Sequence, residues 1–234
     1  MIPTRRSPAR LPTGVRAGSL SDYALTALLV LESLILFIAA PLSGMGIRLP
    51  LFLGALIVVP LIIAIVIISS STGARALVSL AAALAAGGLA FRINHPSLVT
   101  VWLGHMAVII AVIAMSLVIG KAVFAPGRIS HHRIEGGVIL YLNIALAFTS
   151  IYRMISELDP AAFADVAGQQ SESAALSTML YFSFTTLTAT GFGEILPINP
   201  LARSMANLES VLGQLYLAIL LARLVTMHVE SKKY

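Results

Sequence analysis

Residues 176–203 read LSTMLYFSFTTLTATGFGEILPINPLAR, and this stretch decides the fold. Residues 174–187 set Ser and Thr among apolar side chains and predict a short helix. Residues 188–194, TATGFGE, end it, because Gly191 and Gly193 favour backbone angles that other residues avoid. Pro197 and Pro200 then block regular structure before the next apolar run. The helix is too short to cross a bilayer, yet long apolar runs flank it on both sides. Irregular backbone at membrane depth is tolerated only where it is buried in protein or lines water. A helix that enters, turns into a Gly-x-Gly strand and leaves again therefore implies a pore or a cavity. Backbone carbonyls there can replace the hydration shell of a cation.

The rest of the chain agrees with a lipid environment. Of 234 residues, 58% are hydrophobic and 11% charged, and the mean hydropathy is +0.95. Soluble domains carry about 25% charged residues. A membrane span takes about 20 apolar residues as helix. Six runs fit: 23–40, closed by Pro41; 51–68, with Pro60 inside; 76–91, short and rich in Ala and Gly; 98–119; 136–155; and 201–225. There is no cysteine, which excludes disulfides, a thiol nucleophile and a cysteine metal site. The net charge is +5, but the basic residues are scattered between apolar runs, so no nucleic-acid partner is expected.

Loop charge sets the orientation. With the N-terminus in the cytoplasm, Arg5, Arg6, Arg10, Arg16, Arg75, Lys121, Arg128, Arg133, Arg223, Lys232 and Lys233 lie inside. Only Arg48, Arg92, Arg153 and Arg203 lie outside, together with Glu157, Asp159, Asp165, Glu172 and Glu194. Both termini are thus expected inside. Residues 1–20 form a basic cytoplasmic tail broken by Pro3, Pro8 and Pro12, with no A-x-A cleavage pattern behind it. Residues 21–120 form a four-span unit, 121–135 a cytoplasmic linker, and 136–228 two spans around the short helix and strand. No internal repeat of the inverted-transporter kind is evident.

The order span, short helix, Gly-x-Gly strand, acid, span resembles the potassium-channel pore family. That family's filter motif T-V-G-Y-G aligns with Ala189-Thr190-Gly191-Phe192-Gly193, with Thr186-Leu187-Thr188 before it and Glu194 after it in register. HHRIEGGVILYLNIALAFTSIYR and LARSMANLESVLGQLYLAILLARLV are similar to bacterial six-span ion channels. The resemblance implies an all-α membrane protein with six transmembrane helices, a re-entrant pore helix and a selectivity-filter loop. It implies a homotetramer in a lipid bilayer, in a bacterial inner membrane, that passes potassium downhill. It implies no enzyme chemistry and no cofactor beyond potassium ions at the filter carbonyls of residues 189–193. Thr186, Thr188, Glu194 and Glu209 would support the filter and pore mouth, and Gly213 falls where many such channels have a hinge glycine. Ala189 departs from the usual Thr and removes a hydroxyl from the innermost site, which makes a non-selective monovalent cation channel the first alternative. A non-conducting membrane interaction protein that retains the pore fold is the second. Phe192 and Thr190 depart more mildly.

Single residues admit two readings each. The run 98–119 holds no Arg or Lys, so the four-span unit resembles a voltage sensor without gating charge. No soluble gating domain follows the last span in this sequence. Glu32 lies mid-span, either as a sensing acid facing His105 or as a hydrogen-bonded acid that fixes packing. His105 has no second His at i+4 and reads as an interhelical histidine rather than a metal ligand. Glu209 faces a central cavity, or sits behind the filter and bonds the pore helix. Glu194 forms an outer ring, bonds the back of the filter, or does both, with Arg203 as its counter-charge or an interface anchor. Glu157, Asp159, Asp165 and Glu172 read as a solvated turret. His131 and His132 read as an exposed linker pair.

Overall fold

The computed structural model describes residues 15–45, 47, 98–124, 131–164 and 171–231, with single positions between 73 and 87. The run expected over 51–68 lies outside the described residues, as do most of 76–91, the start of the basic tail and Asp165. The described residues are almost wholly helical: α1 (Val15–Leu34), a π-helical turn (Ile35–Ala39), α2 (Ala40–Gly44), α3 (Leu98–Val123), α4 (His131–Leu158), α5 (Glu172–Leu187) and α6 (Pro200–Ser231). A two-residue antiparallel pair, β1 (Phe163–Ala164) and β2 (Leu196–Pro197), links the ends of α4 and α6.

Among the described residues, four segments are long and apolar enough to cross a membrane: Leu25–Gly44, Val101–Lys121, His131–Leu158 and Pro200–Thr226. They coincide with the runs expected over 23–40, 98–119, 136–155 and 201–225. At about 1.5 Å per residue, α5 reaches only about 24 Å, short of a hydrocarbon core of about 30 Å.

Pro41 does not close the first span. The helix runs on to Gly44, and the π turn just before Pro41 explains how. Proline has no N–H for the carbonyl four residues back, and its ring would clash with that carbonyl in a regular turn. The turn widens instead, and the Ala40 N–H reaches back five residues to the Ile35 carbonyl.

Packing registers give the directions. Thr26 Oγ1 donates to Glu135 Oε2 at 2.9 Å, and Leu36 packs near Leu142, so α1 runs with α4. Gly136 of α4 abuts Val123, and His105 meets Glu157, so α3 runs against α4. A β-carbon on Gly136 would lie 2.6 Å from Val123 Cγ2, so the α3–α4 contact needs glycine there. One core layer joins Leu25, Leu28, Met115, Ile119 and Ile139 between α1, α3 and α4. A second joins Phe148, Tyr152, Phe163, Met179, Phe182 and Ala202 behind α5. In it the Tyr152 ring meets Phe182 edge-on at 4.9 Å and Phe163 at 5.8 Å, the T-shaped geometry aromatic quadrupoles favour.

The two ends of α4 correct sequence readings. Glu157 and Asp159 are not a solvated turret. Glu157 Oε1 accepts from Arg153 Nη2 at 3.3 Å and meets His105 Nε2 at 3.2 Å. Asp159 accepts from Asn199 Nδ2 at 2.9 Å and from the Ala161 N–H. Glu157 faces Arg153 one turn back on α4 and His105 of α3, and Asp159 faces Asn199, brought up by the chain's return toward α6. Asn199 Oδ1 in turn accepts the Leu201 N–H and caps α6, with Pro200 at the first helical position. His131 is exposed as expected and His132 half-buried, but the pair is not linker. They form the first turn of α4, and His132 Nδ1 is 3.3 Å from Glu135 Oε2.

Candidate functional site

The sequence starts α5 firmly. Ser171 takes the N-cap, its hydroxyl accepting the Ala174 N–H at 3.2 Å, and Glu172 follows in the first turn, where a negative charge is favoured. Arg153, buried on α4, donates from Nη1 to the Glu172 carbonyl at 2.9 Å. This holds the start of α5 to α4.

The far end of α5 passes into residues 188–195 with no helical turn to spare. The N–H groups of the first four residues all turn back onto the helix end. Thr188 N–H donates to Phe184, Ala189 to Thr186, and Thr190 and Gly191 both to Thr185, at 2.8–3.1 Å. Thr188 Oγ1 also donates to the Phe184 carbonyl at 2.7 Å, so it accepts from the Thr190 hydroxyl at 2.8 Å. The Thr190 hydroxyl therefore lies on the α5 side of the strand. Thr186 contributes its carbonyl.

Backbone handedness alternates along the same stretch. Ala189, Gly191 and Gly193 have positive φ, at 55°, 53° and 90°, and Thr190 and Phe192 between them do not. Alternation of left- and right-handed residues turns successive N–H groups to one face, and so their carbonyls to the other. With the N–H groups tied to α5, the carbonyls are left for something else. Residues 188–194 are all exposed in the single chain. Such a row of unpaired carbonyls needs water, a cation or another chain as partner.

Side chains brace the strand. Phe192 stacks on Tyr181 of α5, centroids 6.4 Å apart and planes 4° apart. The same Tyr181 bonds the Glu194 carboxylate, and that bond raises the phenol's pKa above its ordinary value. Arg203 is not the counter-charge of Glu194. Its Nε donates to the Pro197 carbonyl at 2.9 Å, because the turn into α6 points it at β2.

Behind α5, Glu209 of α6 is fully buried. Tyr152 Oη bonds its Oε2 and Ser183 Oγ bonds its Oε1, each at 2.5 Å. The structure thus sets Glu209 against α5 rather than in an open cavity. Gly213, one turn further on, lies in unbroken helix. A β-carbon there would fall 2.1 Å from the Leu187 carbonyl oxygen, so its evident work is close packing of α6 on the end of α5. Tyr141 Oη donates to the same Leu187 carbonyl at 3.2 Å.

Glu32 and His105 are not brought together. His105 meets Glu157, and Glu32 is buried with neither carboxyl oxygen hydrogen-bonded among the described residues. Sequence reasoning missed Tyr152, Ser183, Tyr141 and Tyr181. The first three carry no local signal, since their partners lie 26 to 57 residues away. Tyr181 meets Phe192 and Glu194 only once the following segment has turned back along α5.

Among the described residues no cluster of His, Asp and Glu could hold a metal ion. Residues 139–230 match the family model for ion channel. The match spans most of α4, all of α5, the 188–195 strand and nearly all of α6. It supports an ion-channel pore in this half of the chain, and the four apolar helices support an integral membrane protein. No curated protein and no solved structure matches the chain.

Proposed function

We propose that the chain is one subunit of a homotetrameric, potassium-selective channel, with the carbonyls of residues 189–193 lining the ion path. A single observation carries this reading. The 188–191 N–H groups are all bound by the end of α5, while handedness alternates at 189, 191 and 193 and leaves an exposed row of carbonyls. A dehydrated monovalent cation is the ligand such a row suits, because carbonyl dipoles replace water without adding net charge. One chain supplies one strand, so a closed path requires copies around an axis. The exposed apolar flank of α6 gives them a surface to meet on. The C-terminal end of α5, with its partial negative charge, favours a cation nearby. Glu194 at the mouth adds charge of the same sign.

The test is flux in liposomes reconstituted with purified protein, followed by bilayer recording in mixed potassium and sodium. Potassium-selective passive current is expected. Equal permeability to both ions would move the reading to the non-selective cation channel. Absence of flux under any gradient would sink conduction altogether. Native mass spectrometry in detergent should show four copies.

A further inference from the structure

Counting protons behind α5 gives more than packing. Three polar contacts meet at Ser183 and Glu209. Tyr152 Oη touches Glu209 Oε2 at 2.5 Å, Ser183 Oγ touches Glu209 Oε1 at 2.5 Å, and Ser183 Oγ touches the Ala145 carbonyl at 2.9 Å. Each contact needs one proton between its two oxygens. Tyr152 supplies one and Ser183 supplies one, because a hydroxyl carries a single proton. The Ala145 carbonyl supplies none, and its other side-chain partner, Thr149 Oγ1 at 2.7 Å, is itself a donor to it. Were Glu209 ionised, one contact would press two bare acceptors together.

We propose that Glu209 is held as a neutral carboxylic acid that donates to Ser183, freeing Ser183 to donate to Ala145, while Tyr152 donates to its other oxygen. All three contacts are then satisfied. The surroundings agree. Glu209 is fully buried, and the groups that face it from α4 and α5 are the Tyr152, Tyr141 and Ser183 hydroxyls, with no positive charge among the described residues. A lone carboxylate there would be expensive.

The acid joins three helices at one point: α6 through Glu209, α5 through Ser183, and α4 through Tyr152 and Ala145. Ser183 lies five positions before Thr188, where the carbonyl-lined strand begins. Glu209 is therefore a positioning residue for that strand, acting through α5. This role rests on the channel reading above; the protonation state does not.

The test uses both. The infrared C=O stretch of a protonated carboxyl is measured on the purified full chain as a difference between wild type and Glu209→Gln, which cancels Glu32. A band that shifts in D2O is expected, and its absence at neutral pH overturns the assignment whatever the flux. Glutamine repeats the neutral acid's pattern, since its N–H₂ donates to Ser183 and its oxygen accepts from Tyr152. Glu209→Gln should keep potassium flux within about twofold, whereas Glu209→Ala, which leaves buried hydroxyls unpaired, should lose on the order of tenfold. Glu209→Gln falling as far as Glu209→Ala would show that a negative charge is required, and would overturn the proposal. A band in wild type with no flux would sink the channel reading and leave the neutral acid in place.

Discussion

A left-handed backbone at a residue with a β-carbon costs about 1–3 kcal/mol, and Ala189 holds one at φ 55°. Glycine would not carry that cost. Ala189→Gly should therefore keep potassium flux and leave the melting temperature of the assembled protein unlowered; a clear drop would show that φ at 189 is not strained in the membrane. The neighbouring glycines give the converse case. A β-carbon at Gly191 or Gly193 meets nothing within 4 Å in the single chain, so its cost is in the backbone, at φ 53° and 90°. Gly191→Ala and Gly193→Ala should abolish potassium flux while circular dichroism shows unchanged helix, with the larger effect at Gly193, whose φ lies further from the left-handed well. Normal flux in either would mean that this strand does not line the path. Gly213 differs again, because the obstacle there is an atom, the Leu187 oxygen. Gly213→Ala must push α6 away from α5, an overpacking cost of about 1–3 kcal/mol. A thermal melt equal to wild type would show that the two helices already move apart freely.

Helix α4 owes the anchoring of its C-terminal end to one side chain. Arg153 is buried, grips the Glu172 carbonyl with one nitrogen and Glu157 with another, and Glu157 meets His105 of α3. Removing one member of a buried pair costs about 3 kcal/mol or more. Arg153→Met should lower stability by that order, and a double-mutant cycle with Glu157→Gln should show coupling; additive melts would mean the pair contributes nothing. The sequence holds half of this. Arg153 and Glu157 stand at helical i, i+4 spacing, which is legible, but the reach to Glu172 and His105 depends on how three helices cross. The same division runs through the site. Gly191 and Gly193 announce positive φ because only glycine adopts it freely, and the short Ser- and Thr-dotted run announces α5 by its length. Ala189 announces nothing, since alanine ordinarily prefers other angles. Glu209 was legible as an anomaly in an apolar run, but not its partners, because Tyr152 and Ser183 meet it only after α4, α5 and α6 have packed.

Taken whole, the molecule has a covered side and an open one. Most of the apolar stretch of α4 is buried, whereas that of α6 is largely exposed, with Val211, Leu215 and Ile219 on its open face. The α1 and α3 flank carries no Arg or Lys between Leu25 and Gly44 and only Lys121 in the last turn of α3. The transmembrane field does about 2.3 kcal/mol of work per charge per 100 mV, so there is little for it to pull on. The conductance–voltage curve in symmetric potassium should be shallow; a steep sigmoid would place gating charge elsewhere in the chain. One feature of this flank bears on how the gene can change length. The π turn at Ile35–Ala39 holds one residue more than an α-helical turn needs. Deleting a single residue there would return it to an α-helical turn with everything beyond it on nearly the same face, because five π-helical residues sweep about the same angle as four α-helical ones. Gly44, whose missing side chain lets α2 lie against Ser177 of α5, would keep that contact. Insertions and deletions are usually absorbed by loops; here a turn inside a well-formed helix can absorb one and leave α2 packed on α5.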